Sequence, residues 1–309
     1  MLLLTFFIPA IAQGYKEGIN LSDELLPMKI NNAVGKVSFM ANDIKLNMIL
    51  PVYLKADSTQ YLLLGANLQS MSFSGNHNEI PTSGFYSISP LIGYNCQVNP
   101  KLSLTALFIP LVNSDFHILY GSDFHFGAVG RAAYRIHKNL LLRLTLGYRQ
   151  QYYGPQYIEF LGIDWKINNR WRLFGDLPNN ATLVCRLNKK NNAGISYTSG
   201  GYTSYHTTEN LYPVSNQSPQ YAPIQQYILY NYAEPGIFAE RYLTSKIVFR
   251  TTIAYATLRN LDILPLNQKV NAVLDYIPLS HPPAPLNPEI ASGITIKFAL
   301  SMRIEDRRY

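Results

Sequence analysis

The chain has 309 residues, a net charge of +7 at pH 7 and 15% charged residues, against roughly 25% in ordinary soluble domains. No run of about 18 apolar residues occurs, so the sequence predicts no transmembrane helix. The basic residues are scattered along the chain, which argues against nucleic-acid binding. Few charges and 23 tyrosines favour a β-barrel whose strands are apolar on one face, with a soluble β-sandwich as the alternative.

The N-terminus has the composition of an export signal. Residues 1–12, MLLLTFFIPAIA, are apolar except for Thr5 and end in a small-residue pattern typical of a signal-peptidase site. We therefore expect a signal peptide over 1–12 and a mature chain that begins at Gln13. The basic residues that usually open such a peptide are missing, so a start codon further upstream is expected. Residues 13–32 are predicted to be a periplasmic segment, and residues 33–309 an outer-membrane β-barrel.

The region from residue 34 to residue 304 reads as a series of segments with period-2 alternation. In one of them Tyr86, Ile88 and Ile92 share a face, while Ser89 and Asn95 share the other. Short polar turns are predicted at 56–58, 99–101, 137–139, 168–170, 189–192 and 243–246. Between them lie mostly longer links, at 75–83, 115–121, 204–222 and 261–288. A soluble sandwich has no reason to sort its links in this way, whereas membrane barrels have short periplasmic turns and longer extracellular loops.

The fold predicted is therefore all-β, a transmembrane antiparallel up-and-down β-barrel of about 12–14 strands. Fourteen strands require breaks at Asn42-Asp43 and at residues 177–180, where Pro178 would interrupt a strand ladder. Without one or both breaks the count is about 12. A barrel of this size has room for a water-filled or loop-plugged lumen.

Aromatic residues near the strand ends provide a second test of the barrel, because two aromatic girdles flank the apolar band of such proteins. The residues predicted to form the girdles are Tyr86, Tyr94, Tyr134, Tyr148, Trp165, Trp171 and Tyr255.

Charged residues fall on the opposite, inward face of the predicted strands. The basic ones, taken as lumen-lining contacts for a solute or anion, are Arg131, Arg135, Arg143, Arg149, Arg250 and Lys297. The acidic ones that could pair with them are Asp164, Glu234 and Glu240. Hairpin pairing would set Arg135 near Arg143, where like charges repel unless water, acids or anions compensate them. Two interpretations stay open, a structural arginine–carboxylate network and an anion-preferring lumen.

Catalytic and metal-binding motifs are missing from the sequence, so no catalytic residue, metal site or cofactor is predicted. A membrane-embedded lipid hydrolase would need a serine–histidine pair, for which Ser204 with His206, or Ser114 with His117, are the candidates. Neither has an evident third group to orient the histidine. Cys96 and Cys185 are expected to be free thiols.

Three stretches resemble an uncharacterised outer-membrane β-barrel family of Bacteroidetes type, a domain of unknown function. They are GKVSFMANDIKLNMILPVYLKADSTQYLLLGANLQSMSFSG, FHFGAVGRAAYRIHKNLLLRLTLGYR and ILYNYAEPGIFAERYLTSKIVFR. The resemblance implies the fold and the location but no catalytic residue. The usual ending on an aromatic residue is displaced here by a charged tail, so the barrel-assembly machinery would read either Tyr309 or Phe298.

These features lead to the expectation of a porin-like passive channel or uptake protein for a small solute, with an anionic solute as one option, in the bacterial outer membrane. The alternatives are a non-conducting structural or docking barrel and a lipid hydrolase. The expected partners are outer-membrane lipids, lipopolysaccharide attracted to basic loops, the assembly machinery and the unknown solute.

Overall fold

The computed structural model describes residues 16–32, 35–54, 59–75, 84–208, 225–270, 272–275 and 277–304. The predicted signal peptide and its cleavage site lie outside these residues, as do the charged C-terminal tail and most of the predicted 204–222 loop. In the described part, no helix is long and apolar enough to cross a membrane.

The residues that the structure describes fold mainly into strands, with one 3₁₀ turn among them at Gly121–Asp123. The strands are β1 (Lys16–Asn32), β2 (Gly35–Tyr53), β3 (Gln60–Ser74), β4 (Phe85–Asn99), β5 (Leu102–Ser114), β6 (Phe124–His137), β7 (Leu140–Gln151), β8 (Gly154–Lys166), β9 (Trp171–Leu177), β10 (Asn180–Arg186), β11 (Asn191–Thr207), β12 (Gln226–Tyr242), β13 (Ile247–Pro265), β14 (Val273–Leu274), β15 (Ile277–Pro278) and β16 (Gly293–Ile304).

Fourteen of the described strands, β1 to β13 and β16, form a closed antiparallel barrel. Consecutive strands pair along the chain, and β16 closes the ring by pairing with β13 on one side and β1 on the other. Because the count is even, β1 begins and β16 ends at the same rim. We call this rim, which carries the turns after β2, β4, β6, β8, β10 and β12, the turn end, and the opposite rim the loop end. The predicted fold class is confirmed.

The strand count of 14 is right, but one of the two predicted breaks is wrong. Residues 177–180 do form a turn, between β9 and β10. Asn42 and Asp43, by contrast, lie within β2, and Asp43 points inward to bind Lys45. The fourteenth strand is instead β1, which occupies most of the predicted periplasmic segment 13–32. Its residues pair with β2 and β16, so the chain enters the barrel at Lys16.

The outer surface of the barrel is apolar. In β4, for example, Tyr86, Ile88 and Ile92 are exposed, whereas Ser89 and Asn95 are buried on the lumen side. Apolar side chains of this size that are exposed all around a barrel form the surface that faces lipid. Of the predicted girdle residues, Tyr86, Tyr94, Tyr134, Trp165, Trp171 and Tyr255 are exposed on this surface. Tyr148 lies there too, partly covered between the rings of Phe126 and Tyr157.

The assignment of faces can be tested with two adjacent residues of β11 at the same depth. Ile195 is exposed on the outside, and Ser196 points into the lumen opposite Gly236. We expect Ile195→Arg to cost roughly 2–4 kcal/mol of folding free energy, because it places a charge in the middle of the bilayer. Ser196→Arg should cost much less, since its side chain reaches water. The readout is the folded fraction in liposomes, measured by heat-modifiable gel mobility, and equal losses would show that the faces are misassigned.

The loop-end half of the barrel contains a smaller barrel. The end of β11 leaves the outer wall and reaches β5, where His206 pairs with Ser114 and its carbonyl accepts a hydrogen bond from the Asp115 N–H at 3.1 Å. On the other side, the segment 286–291 joins β13 to β1 through hydrogen bonds to Ile263 and Lys29. The loop-end halves of β1 to β5 and β11 to β13 thus enclose a common core, which we call the inner barrel.

The inner barrel is filled with apolar and aromatic side chains. Its buried core consists of Leu26, Met28, Ile30, Phe39, Ala41, Met71, Phe85, Tyr205, Ile228, Tyr230, Tyr232, Leu261, Ile263 and Ile290. This packing closes that part of the lumen. A second buried cluster fastens the β7–β8 turn to the outside of the inner barrel, through Tyr152, Tyr153, Tyr227, Leu229, Leu264, Val270 and Val273.

Candidate functional site

The lumen face of β6 and β7 carries the four predicted arginines, and an acid on β9 binds two of them. Asp176 accepts a hydrogen bond from Arg143 Nε at 2.9 Å, and its other oxygen lies 3.6 Å from Arg131 Nη2. Arg143 also donates to the carbonyl of Gly175 at 2.9 Å. One carboxylate therefore lies between two guanidinium groups, which leaves a net positive charge at this place.

The register of the hairpin differs by two residues from the expected one. Arg143 lies opposite Ala133 and not beside Arg135, which pairs with Leu141. Arg131 and Arg135 are therefore both diagonal neighbours of Arg143. This spacing lessens the repulsion that a directly opposed arginine pair would suffer.

The other two arginines of this face have different surroundings. Arg149 donates from Nε and Nη2 to the amide oxygen of Gln156, at 3.0 and 2.7 Å. The Nε of Arg135 is buried and makes no hydrogen bond within the described part of the chain. The Arg135 side chain as a whole is half-buried on the lumen face, close to the turn end.

Two of the predicted acidic partners, Asp164 and Glu240, bind arginines outside the wall of β6 and β7. Asp164 forms a two-pronged pair with Arg172, with both N···O distances at 2.8 Å. Asp164 was a possible partner for any of the inward basic residues, and the arginine that it binds lies on β9. Since Arg172 and Asp164 neutralise each other, they do not reduce the positive charge of that wall.

Glu240 is the centre of a second ion-pair cluster near the turn end. Its carboxylate accepts hydrogen bonds from Arg303 at 2.6 and 3.1 Å, and lies 3.0 Å from Arg250 Nε. Asn192 adds a further donor at 3.1 Å. Arg250 also stacks over the ring of Phe238. The predicted basic residue Arg250 therefore belongs to a buried structural network.

Lys297 and Glu234 meet in a third cluster, at the base of the inner barrel. Lys297 Nζ lies 2.8 Å from a carboxylate oxygen of Glu24, and Glu234 is buried close to both. Lys45 binds Asp43 at 2.7 Å and the Tyr232 hydroxyl at 3.2 Å.

Ser204 and His206, the first candidate pair for catalysis, are buried at the loop end and make structural contacts there. Ser204 is fully buried, donates to Gln151 Oε1 at 2.9 Å and accepts from the Tyr152 N–H at 3.0 Å. His206 is also buried, with Nδ1 3.3 Å from Asp123. The Ser204 hydroxyl makes no hydrogen bond to His206 among these contacts, so the pair lacks the contact that activates a nucleophile.

The second candidate pair is equally unsuited. Ser114 Oγ accepts a hydrogen bond from the Phe116 N–H at 3.3 Å, while His117 lies 3.7 Å from Asp115. Burial raises the pKa of Asp115, but hydrogen bonds from the backbone and hydroxyl of Thr208 and the backbone of His117 outweigh it, so the pKa lies below its usual value. An ionised Asp115 thereby holds the end of β11 against β5. Within the described ranges, no cluster of histidine, cysteine and acidic residues could hold a metal ion, and Cys96 and Cys185 are not joined.

Asp176, Arg172 and Glu24 were not among the predicted site residues. Asp176 and Arg172 share the inward face of β9, which the parity set by outward Trp171 would have identified. Glu24 falls in the segment that was predicted to precede the barrel.

No family model and no curated sequence matches the chain. Solved structures match with low identity. The TodX monoaromatic hydrocarbon channel, as a deltaS2 mutant, is 10% identical, with 95% of this chain and 91% of that chain covered and a TM-score of 0.45. An outer-membrane channel from Pseudomonas putida F1 is 8% identical, with coverage of 96% and 99% and a TM-score of 0.41. The NanC porin is 8% identical, with coverage of 93% and 100% and a TM-score of 0.38. Values this low carry no conclusion about a solute.

Proposed function

We propose that the protein is a porin-like outer-membrane channel for the passive passage of a small anionic solute. The observation that carries the proposal is the charge balance of the lumen face of β6 and β7, where Arg131 and Arg143 share Asp176 and Arg135 adds a further guanidinium. Rings of arginine and lysine favour anions in pores, because their field raises the local anion concentration. The apolar outer surface with its aromatic girdles supports a location in the outer membrane.

The route that we propose follows the arc of β6, β7 and β8. The inner barrel fills the loop-end lumen on the side of β1 to β5, and the buried Tyr152 cluster joins its outer face to the β7–β8 turn, so a passage at this rim has to open beside that cluster. The arginines of β6 and β7 lie along that route. A passage confined to one side of the lumen would be narrow, which suits a small solute.

A non-conducting structural or docking barrel is the second candidate, and the packed inner barrel is the observation that favours it. We do not propose an enzyme, because the serine–histidine candidates are engaged in structural hydrogen bonds. Membership of the Bacteroidetes-type barrel family, contact with lipopolysaccharide and handling by the barrel-assembly machinery are further proposals, supported by the three sequence stretches and the barrel form.

Swelling of proteoliposomes distinguishes the two candidates. With liposomes in isotonic medium and valinomycin in the membrane to carry K⁺ as the counter-ion, potassium gluconate should enter faster than sorbitol, which has a similar size but no charge, since the arginines attract the anion. Both solutes should enter faster than into liposomes without protein. A channel for anions is contradicted if sorbitol enters as fast as gluconate, and a non-conducting barrel is indicated if neither enters.

A further inference from the structure

The wall of the barrel is incomplete beside β8. The edge of β8 that faces β9 is paired with it only from Leu161 to Lys166, because β9 and β10 are seven residues long. At roughly 2.5 Å of height per residue in a tilted strand, such strands rise about 17 Å, less than the apolar band of about 25 Å. The wall strands therefore end within the depth of the membrane.

Above that point, the edge of β8 is covered by a hairpin from the loop between β13 and β16. In this hairpin β14 pairs in parallel with Gln156 and Tyr157 of β8, and β15 pairs with β14. On the far side, β11 follows β10 only to Thr198 before it turns towards β5. In the described part of the chain, β15 and β11 share no backbone pairing. We call this interruption, bounded by the β9–β10 turn, β15 and β11, the seam.

The outer rim of the seam is mainly apolar. Tyr157, Leu161, Leu177 and Ile277 are exposed there, and Glu159 adds one carboxylate to the same surface. Lipid tails can therefore reach the rim at most points, while Glu159 is repulsive to an anion and favours entry by the neutral part of a molecule first.

The lumen just inside the seam has a short apolar strip on β6 to β8, with Arg149 and Gln156 on its loop-end side and Arg131 on its turn-end side. Val129 and Ile158 flank Gly147, where an added Cβ would lie 3.0 Å from Val129 Cγ2 and 3.4 Å from Ile158 Cβ. Phe160 follows on the same face of β8 and is half-buried. Its register neighbour on β7 is Thr145, whose hydroxyl accepts a hydrogen bond from Arg131 Nε at 2.9 Å. An apolar strip thus ends at a guanidinium group.

We infer that the seam is a lateral entrance between the membrane and the lumen, for a single-chain amphiphile with an acidic head. Its apolar part would lie along Val129, Ile158 and Phe160, where it leaves water. Its acidic head would then lie beside Arg131, where it can accept a charge-assisted hydrogen bond from the guanidinium. The inference that the solute has an acidic end depends on the proposed anion-attracting lumen. The inference of a lateral entrance depends only on the strand pattern.

The hairpin of β14 and β15 is the part that would open. It is fastened to β8 mainly by Asp275, whose N–H donates to the Tyr157 carbonyl at 2.8 Å and whose Oδ1 accepts from the Glu159 N–H at 2.7 Å. The Asp275 carbonyl accepts from Gln156 Nε2 at 2.6 Å. Asp275 has a φ of 52°, a left-handed conformation that aspartate tolerates better than most residues. Val273 of β14 is in addition buried in the Tyr152 cluster, so opening has to break these hydrogen bonds and also that packing.

Quenching of a fluorophore by a nitroxide-labelled fatty acid tests the entrance. In a Cys96→Ser, Cys185→Ser background, bimane is attached to one new cysteine at a time and the protein is reconstituted into liposomes that contain 5-doxyl stearate. We expect a label at Phe160→Cys, inside the seam, to be quenched several-fold more than one at Ser103→Cys, which faces the lumen far from the seam. The adjacent Leu161→Cys faces lipid and serves as the positive control. A phospholipid carrying the same nitroxide should quench Leu161→Cys but not Phe160→Cys, because two chains and a large headgroup do not fit.

A disulfide lock identifies the route. Tyr157→Cys with Leu274→Cys joins register neighbours of β8 and β14, at the spacing that a disulfide needs. Oxidation should reduce the quenching at Phe160→Cys several-fold, and a reductant should restore it. Equal quenching at Phe160→Cys and Ser103→Cys, or quenching that the lock does not change, would overturn the inference. Reversal potentials of the same protein report anion preference independently, so failure of the entrance and failure of the proposed channel are distinguishable.

Discussion

Replacement of Glu240 by alanine should unfold the barrel at much lower urea concentration than the wild type. The carboxylate is buried, and it is the acceptor for Arg303, which is equally buried, and the ion partner of Arg250. Removing one member of a buried ion pair leaves the other charge in a poor environment, which costs about 3–5 kcal/mol. The urea midpoint of Glu240→Gln should lie between those of the wild type and Glu240→Ala, because the amide oxygen can still accept a hydrogen bond from Asn192.

The matched control is Glu159→Ala, which removes a carboxylate from the outer surface. Its side chain is exposed on the lipid-facing surface, where a charge is unfavourable, so its loss should leave the free energy of unfolding unchanged or raise it. The measurement is urea unfolding in liposomes, followed by tryptophan fluorescence and gel mobility. Equal effects of Glu240→Ala and Glu159→Ala would show that the Glu240 cluster does not brace the wall.

Leu26→Ala should also destabilise the protein strongly, by about 2–5 kcal/mol, because it leaves a cavity in the packed core of the inner barrel. The comparison residue is Leu21 on the same strand, which is exposed on the outer surface. Leu21→Ala leaves no cavity, since lipid tails fill the space, and should have a much smaller effect. Urea unfolding measures both. If the two variants unfold alike, β1 does not lie in the barrel with Leu26 facing inward.

The outer face of the barrel could be read from the sequence because lipid requires apolar residues at every second position. Tyr86, Ile92 and Trp165 follow this rule, and the structure places them where the alternation predicts. The β9–β10 turn was also predictable, since Pro178 cannot donate to a strand ladder.

Strand β1 could not be predicted by the same rule, because its loop-end half packs into the core of the inner barrel. The loop-end half of β1 has apolar residues on both faces, because Leu26 and Met28 pack into a core where a water-filled lumen would have polar residues. Without alternation the segment does not read as a barrel strand. At Asn42-Asp43 the error was the opposite one, a break predicted where a strand continues. Two adjacent polar residues indicate a turn, yet Asp43 is accommodated within β2 because Lys45 neutralises it.

The lumen pairs could be predicted only in part. Alternation gives the face of each charged residue but not its neighbour across the barrel, which depends on register. Asp164 was one possible partner for the inward basic residues, and it binds Arg172 because β8 and β9 form a hairpin. Asp176 on β9 reaches Arg143 on β7 across the one strand between them, β8, a contact that no local pattern in the sequence indicates.

The anion-preferring lumen is tested most directly by the reversal potential of the purified protein in a planar bilayer under a salt gradient. The wild type should prefer anions, and the preference should weaken at high salt, because the Debye length falls from about 10 Å at 0.1 M to about 3 Å at 1 M. Arg135→Glu should reduce or reverse it without unfolding the barrel, since Arg135 has no part in the Asp176 cluster. Lys246→Glu, the same charge change in an exposed turn, should shift the potential less. A wild-type channel that prefers cations, or an Arg135→Glu variant that shifts the potential no more than Lys246→Glu, would contradict the proposal.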